Sequence, residues 1–165
     1  MIKSPYDDLF AKYEGEYRIV PGLMKAVARV ESSWRPKAYR YEPMFWEMYM
    51  KDKPEWAGSD PKVVSASYGL CQLMFPTARE TGYDGEAAGL YDPDVNIGLG
   101  AKYVRHLLDG VWAEGLPWKH DTLSAYDMAL AQYNGGRHRN PAADGTLRNK
   151  SYVDKVWAAF KEIGC

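Results

Sequence analysis

One carboxylate in this sequence stands where hydrocarbon is expected. At roughly 100° per residue around a helical wheel, Leu23, Val27 and Val30 cluster on one side of the stretch 21–33, and Met24 extends the stripe. Glu31 follows Val27 by four residues and Leu23 by eight, so it falls inside that stripe, while Lys25 and Arg29 point away. Burial at the end of an apolar face disfavours a charged carboxylate and raises its pKa. A carboxyl group that keeps its proton near neutral pH is suited to general-acid catalysis. The periodicity also permits a plainer reading, in which Glu31 marks the edge of the core or pairs with Arg35 or a more distant arginine.

Other chemistries have less support. His106, His120 and His138 are the only histidines, and none shows a zinc spacing such as His-Glu-x-x-His. No nucleophile elbow is present. Cys71 and Cys165 match no metal pattern and read as free thiols. Neither metal nor cofactor is expected.

The elements that must position Glu31 are helical. Pro21 reads as the first-turn proline of a helix that runs to about Ser33 and is stopped by Pro36. A first helix is expected over 5–17, with Leu9, Phe10, Tyr13 and Tyr17 at helical spacing. Residues 43–51 form a short apolar helix, 52–66 read as loop, and 60–70 allow a short β-hairpin. Pro76 opens a helix that Gly82 closes. Further helices are expected over 94–109 and 122–133, the second ending at Gly135-Gly136. Ser151 is placed to cap a last helix whose Tyr152, Val153, Val156, Trp157, Phe160 and Ile163 make one apolar face. The class is mainly α, in one domain over 1–165.

Composition narrows the function classes. The 165 residues are 46% hydrophobic and 26% charged with a net charge of −1, and no basic stripe offers itself to nucleic acid. No run reaches the roughly 18 apolar residues of a membrane span. The first eight residues lack the apolar stretch of a secretory signal, so either another route or a removed leader would deliver the protein beyond a membrane. Aromatics reach 14%, with 13 Tyr and 6 Trp, which fits core packing or a cleft of stacking surfaces for sugar rings. A monomer is expected.

Four segments carry a family resemblance. Ala28-Arg-Val-Glu-Ser-Ser-Trp-Arg-Pro-Lys-Ala38 resembles the motif holding the catalytic glutamate in soluble (SLT-type) lytic transglycosylases and goose-type lysozymes. Tyr68-Gly-Leu-Cys-Gln-Leu-Met-Phe-Pro-Thr-Ala78 is similar to the second motif of that family. Leu90-Tyr-Asp-Pro-Asp-Val-Asn-Ile-Gly-Leu-Gly-Ala-Lys-Tyr103 and Leu130-Ala-Gln-Tyr-Asn-Gly-Gly136 follow in family order. The resemblance implies a lysozyme-like helical domain acting on peptidoglycan glycan strands at the bond between N-acetylmuramic acid and N-acetylglucosamine. It assigns the proton donor to Glu31, which would then deprotonate the muramyl 6-hydroxyl and close a 1,6-anhydro ring. It further implies that Gln72, Met74, Tyr133 and Asn134 line the glycan cleft or steady the acid. The family's cleft serine falls at Ser65 or Ser67.

The chain also departs from the family. Cys71 replaces a methionine, and Gln132 an alanine. About thirty residues separate Ala38 from Tyr68, where soluble transglycosylases have a much shorter connection. Within that insertion Glu42 is the candidate second carboxylate and Asp60 a weaker one. A Glu42 facing Glu31 across about 6.5–9.5 Å would activate water and make an inverting muramidase; a Glu42 paired with Arg40, or capping the short helix, would leave the anhydro route. Goose-type lysozymes have an aspartate at Met74, so its absence favours transglycosylation. A different class, a non-catalytic wall-binding or virion structural subunit, keeps the fold without the reaction. A compact domain of this kind, with no visible signal, membrane anchor or wall-binding repeat, resembles a bacteriophage wall-degrading enzyme, released at lysis or carried in a virion; a bacterial remodelling enzyme acting in the periplasm or outside, expressed without its leader, fits almost as well.

Overall fold

The computed structural model describes residues 2–113, 124–136, 142 and 145–164. Helix α1 (Asp7–Glu16) turns Phe10 and Glu14 inward, and α2 (Leu23–Ser32) follows after a turn at Pro21-Gly22. Pro21 therefore precedes α2 instead of occupying its first turn. Gly22 is left-handed at φ 88°, and the cap comes from another helix: the Glu14 carboxylate accepts from the backbone N–H groups of Gly22 (2.7 Å) and Met24 (2.8 Å). These are donors that a helix start leaves without intrahelical partners, and a negative charge there also suits the helix dipole.

Helix α2 lies in the middle of the fold. Leu23, Met24, Ala26, Val27 and Ala28 are fully enclosed. Lys25, expected to point away, is also buried; its ammonium is drawn in by Asp7 at 2.7 Å and by the carbonyl of Ile2 at 2.6 Å. The helix ends where Ser33 and Trp34 both turn left-handed, at φ 53° and 59°, which is earlier than Pro36.

Three short strands follow. β1 (Tyr39–Tyr41), β2 (Ala66–Tyr68) and β3 (Leu73–Met74) pair antiparallel in that order. Arg40 stands opposite Ser67, and Ser67 opposite Met74. The hairpin expected within 60–70 thus closes later, over 66–74. The insertion between β1 and β2 is helical over 43–50, where a short helix was expected, and carries further short turns within 52–66, where a loop was expected. It contains α3 (Pro43–Phe45), a π-helical turn (Trp46–Met50), a 3-10 turn (Pro54–Trp56) and α4 (Pro61–Val64). Asp60 caps α4 by accepting from Lys62 N–H at 2.9 Å. A second apolar cluster holds this region together, with Met50, Val64, Ala66, Tyr68, Phe75, Ala78, Ala87 and Leu90 buried in it.

Next come α5 (Phe75–Glu80), a 3-10 turn (Ala87–Tyr91), α6 (Pro93–Ala113), α7 (Ala125–Gly135) and α8 (Lys150–Ile163). Ser124 and Asp127 form a reciprocal capping box at the start of α7. Asn149, not Ser151, precedes α8, and its side-chain amide donates to Ala131 O at 2.8 Å and to Asn134 Oδ1 at 3.1 Å. The main core gathers Phe10, Leu23, Val27, Ile97, Leu108, Leu130, Val156 and Ile163 around α2. Burying each such side chain contributes about 1.5–3 kcal/mol relative to exposure. No helix among the described residues is long and apolar enough to cross a membrane, and they contain no His/Cys/Asp/Glu group able to hold a metal ion. Cys71 is a buried free thiol; Cys165, His120 and His138 lie outside the described residues.

Candidate active site

Glu31 occupies the last turn of α2 and is half-buried. Its carboxylate accepts a hydrogen bond from the phenol of Tyr152 at 2.7 Å. The Arg35 alternative is not realised: Arg35 Nε donates to Ser32 O at 2.9 Å, and the hydrogen bond to the Glu31 carboxylate comes from Tyr152 instead. Desolvation is the largest influence on Glu31 and pushes its pKa up. The Tyr152 hydrogen bond and the charge of Arg40 pull it down, and the charge of Glu42 pushes it up; the net direction is upward. Such a carboxyl group retains its proton to higher pH than a free glutamate.

Tyr152 was legible in the sequence only as part of the apolar face of α8. Its ring is buried, at 7% exposure, as that face requires. The signal available was the hydroxyl, since a buried phenol usually finds a hydrogen-bond partner.

The segment 68–74 forms the neighbouring wall and is tied from several sides. Ser32 Oγ donates to Leu70 O at 2.8 Å, which joins the end of α2 to this segment. Asn96 of α6 is completely buried; it accepts from Cys71 N–H (2.7 Å) and donates to Tyr68 O (2.9 Å) and Leu90 O (2.8 Å). Gly69 must be glycine here, since φ is +72° and a Cβ would come within 2.5 Å of both Asn96 Nδ2 and Leu90 O. Gln72 is itself left-handed at φ 48°, and its amide donates back to Gly69 O at 3.0 Å.

Tyr133 donates its hydroxyl to Cys71 O at 2.7 Å, so its phenol anchors this wall. Burial raises its pKa, with the Cys71 and Glu31 charges adding to the effect. Asn134 is exposed and accepts from Asn149. Of the two serines, Ser65 is committed to the backbone of Glu42, donating to its carbonyl at 2.8 Å. Ser67 is in β2, and residues directly opposite one another share a sheet face. Arg40, Ser67 and half-buried Met74 therefore form one row, and Glu42, just past the end of β1, reaches Arg40 in an ion pair.

Glu42 pairs with Arg40 through its Oε1, and both charges act on Glu31. The second carboxylate is thus near the first but held by a guanidinium. Asp60 is spent on the cap of α4. The site brings Glu31 together with Tyr152, and places Cys71, Tyr133, Arg40 and Glu42 within electrostatic reach. It can deliver and retrieve one proton at Glu31.

Comparison with known proteins bears on the family and the fold. The sequence profile described as "Transglycosylase SLT domain" matches residues 8–153. Among solved structures, the fold is similar to that of the 70 kDa soluble lytic transglycosylase SLT70 from Escherichia coli, at a TM-score of 0.60 and 22% identity. That match covers 96% of this chain and 24% of the larger protein, so the present chain spans about a quarter of its length. No curated protein matched in sequence.

Proposed function

This chain belongs to the transglycosylase SLT domain family, and from that premise we propose that it cleaves peptidoglycan glycan strands as a lytic transglycosylase. The bond is the β-1,4 link from N-acetylmuramic acid to N-acetylglucosamine. Glu31, protonated, donates its proton to the glycosidic oxygen; the C1–O bond breaks and the N-acetylglucosamine end leaves as an alcohol. Positive charge develops on the muramyl C1, as in glycoside cleavage generally. The Glu31 carboxylate then takes the proton of the muramyl 6-hydroxyl, whose oxygen closes on C1. The result is a 1,6-anhydro ring, with no water consumed and Glu31 restored to its acid form. Tyr152 acts as a positioning residue that holds the carboxylate through both transfers.

The observation that carries this reading is the desolvated Glu31 carboxyl held by Tyr152, with Glu42 engaged by Arg40. A hydrolytic muramidase is the second reading. It is favoured by one fact, that the Glu42 charge is felt at Glu31. Mass spectrometry of muropeptides released from purified sacculi separates the two, with Glu31→Gln as control. Anhydromuramic ends support the transglycosylase, and reducing ends heavier by one water support the muramidase. No release from folded wild-type protein would leave a non-catalytic wall-binding subunit.

A further inference from the structure

We propose that Arg40 is a carboxylate-binding residue for the substrate, through which the enzyme recognises acidic groups on the muramyl unit or its peptide stem. This rests on the reading of the chain as a peptidoglycan-cleaving enzyme and adds a determinant of which strands it takes.

Arg40 is in the middle of β1, opposite small, buried Ser67, and in the row that ends at Met74. Its side chain is 60% exposed, so the guanidinium is available to a ligand lying along the sheet face next to Glu31. Glu42 engages only the Nε of that group. The terminal nitrogens, which form the outer edge of the fork, have no partner among the described residues. An arginine fork suits the two oxygens of a carboxylate better than any other side chain does.

The existing pair is also one that can open. An ion pair with its arginine 60% and its carboxylate 32% exposed is worth about 1 kcal/mol or less. Glu42 therefore orients Arg40 without sequestering it, and an incoming carboxylate can share or replace it. The bulk charge of the protein offers no substitute for this local contact. At a net charge of −1 the chain does not attract an acidic polymer as a whole, so discrimination for carboxylates must come from a placed cation.

Two carboxylates on peptidoglycan have the required chemistry: those of the peptide stem, and the lactyl carboxylate exposed on a muramyl unit whose stem has been removed. The experiment is equilibrium binding of Glu31→Gln protein to soluble glycan strands in three forms. These are native strands, strands whose carboxylates are amidated with carbodiimide and ammonium, and strands stripped of stems by an amidase. Native strands should bind about tenfold more tightly than amidated ones. Arg40→Gln in the same background should abolish that difference, Arg40→Lys should keep part of it, and Glu42→Gln should widen it by freeing the guanidinium. Stripped strands that bind like native ones show that the newly exposed lactyl carboxylate serves Arg40 as well as a stem carboxylate does; stripped strands as weak as the amidated form restrict the site to the stem. Equal binding of native and amidated strands, or an equal loss on both from Arg40→Gln, overturns the proposal. Release of muropeptides by the wild-type protein is scored separately. Discrimination without release would leave the carboxylate site standing and remove the enzymatic reading, and release without discrimination would do the reverse.

Discussion

Tyr152 and Glu31 are 121 residues apart in the chain and meet through a 2.7 Å hydrogen bond from phenol to carboxylate. The contact joins the first turn of α8 to the last turn of α2, so two helices far apart in the chain hold one carboxylate.

Replacing Tyr152 with Phe removes a donor that favours the charged form of Glu31. The Glu31 pKa, already raised, should rise further. The expected outcome is a basic limb of the kcat profile displaced to higher pH, with kcat at its maximum lower by about tenfold because the carboxylate is less well held. Stability should fall by only about 1 kcal/mol. A basic limb that stays in place or moves down would contradict the role given to Tyr152.

Glu31→Gln should reduce turnover by about 10²-fold or more, the usual worth of a positioned acid. Its stability effect has a definite sign. A carboxyl group whose pKa is raised in the folded state contributes stability below its ordinary value of 4.5, and this is lost as pH rises through the raised value. The Gln variant has no such loss. Its Tm should therefore match or exceed that of wild type at pH 8, and the comparison should move in favour of wild type as pH falls towards 4. A variant that is markedly less stable at pH 8 would show that Glu31 stabilises the fold as an anion.

Glu42→Gln tests whether water is the acceptor. On the transglycosylase reading it should leave anhydro products and change kcat by less than about tenfold, since Glu42 then acts on Glu31 only through its charge. Loss of about 10²-fold or more would identify Glu42 as a general base. Product mass and initial rate on the same sacculi give both answers.

Asn96→Ala should be among the more destabilising single substitutions. It orphans the buried N–H of Cys71 and the carbonyls of Tyr68 and Leu90, each at about 1–3 kcal/mol. A total near 3 kcal/mol or above should appear as a lower urea midpoint with an unchanged slope. A shift worth under 1 kcal/mol would mean that the wall around Cys71 does not depend on this side chain.

Much of the frame was legible locally. The 3.6-residue period of Leu23, Met24, Val27 and Val30 located α2 and marked Glu31 as a carboxylate on its apolar side. Periodicity likewise located the other long helices, and the four motif segments pointed to the family. Errors came where a local signal competed with a distant partner. Pro21 and Ser151 had the right chemistry to begin helices, but Glu14 caps α2 from a neighbouring helix and Asn149 precedes α8. Lys25 looked like a surface residue, and is buried because Asp7 and the Ile2 carbonyl are brought to it.

The sequence by itself marked Glu31 as the candidate acid, because its place on the apolar side of the helix depends on neighbours within two turns. Only the tertiary structure decided what surrounds that carboxylate. Tyr152 reaches it from α8, Arg40 acts on it from a strand whose register no local pattern specifies, Glu42 from just past that strand, and Asn96 sets the wall from α6. The contacts of Tyr152 with Glu31 and of Asn96 with the Cys71 wall span 121 and 25 residues of chain, beyond the reach of any local pattern. The desolvation that tunes Glu31 comes from the packing of the whole domain, and no short stretch of chain encodes it.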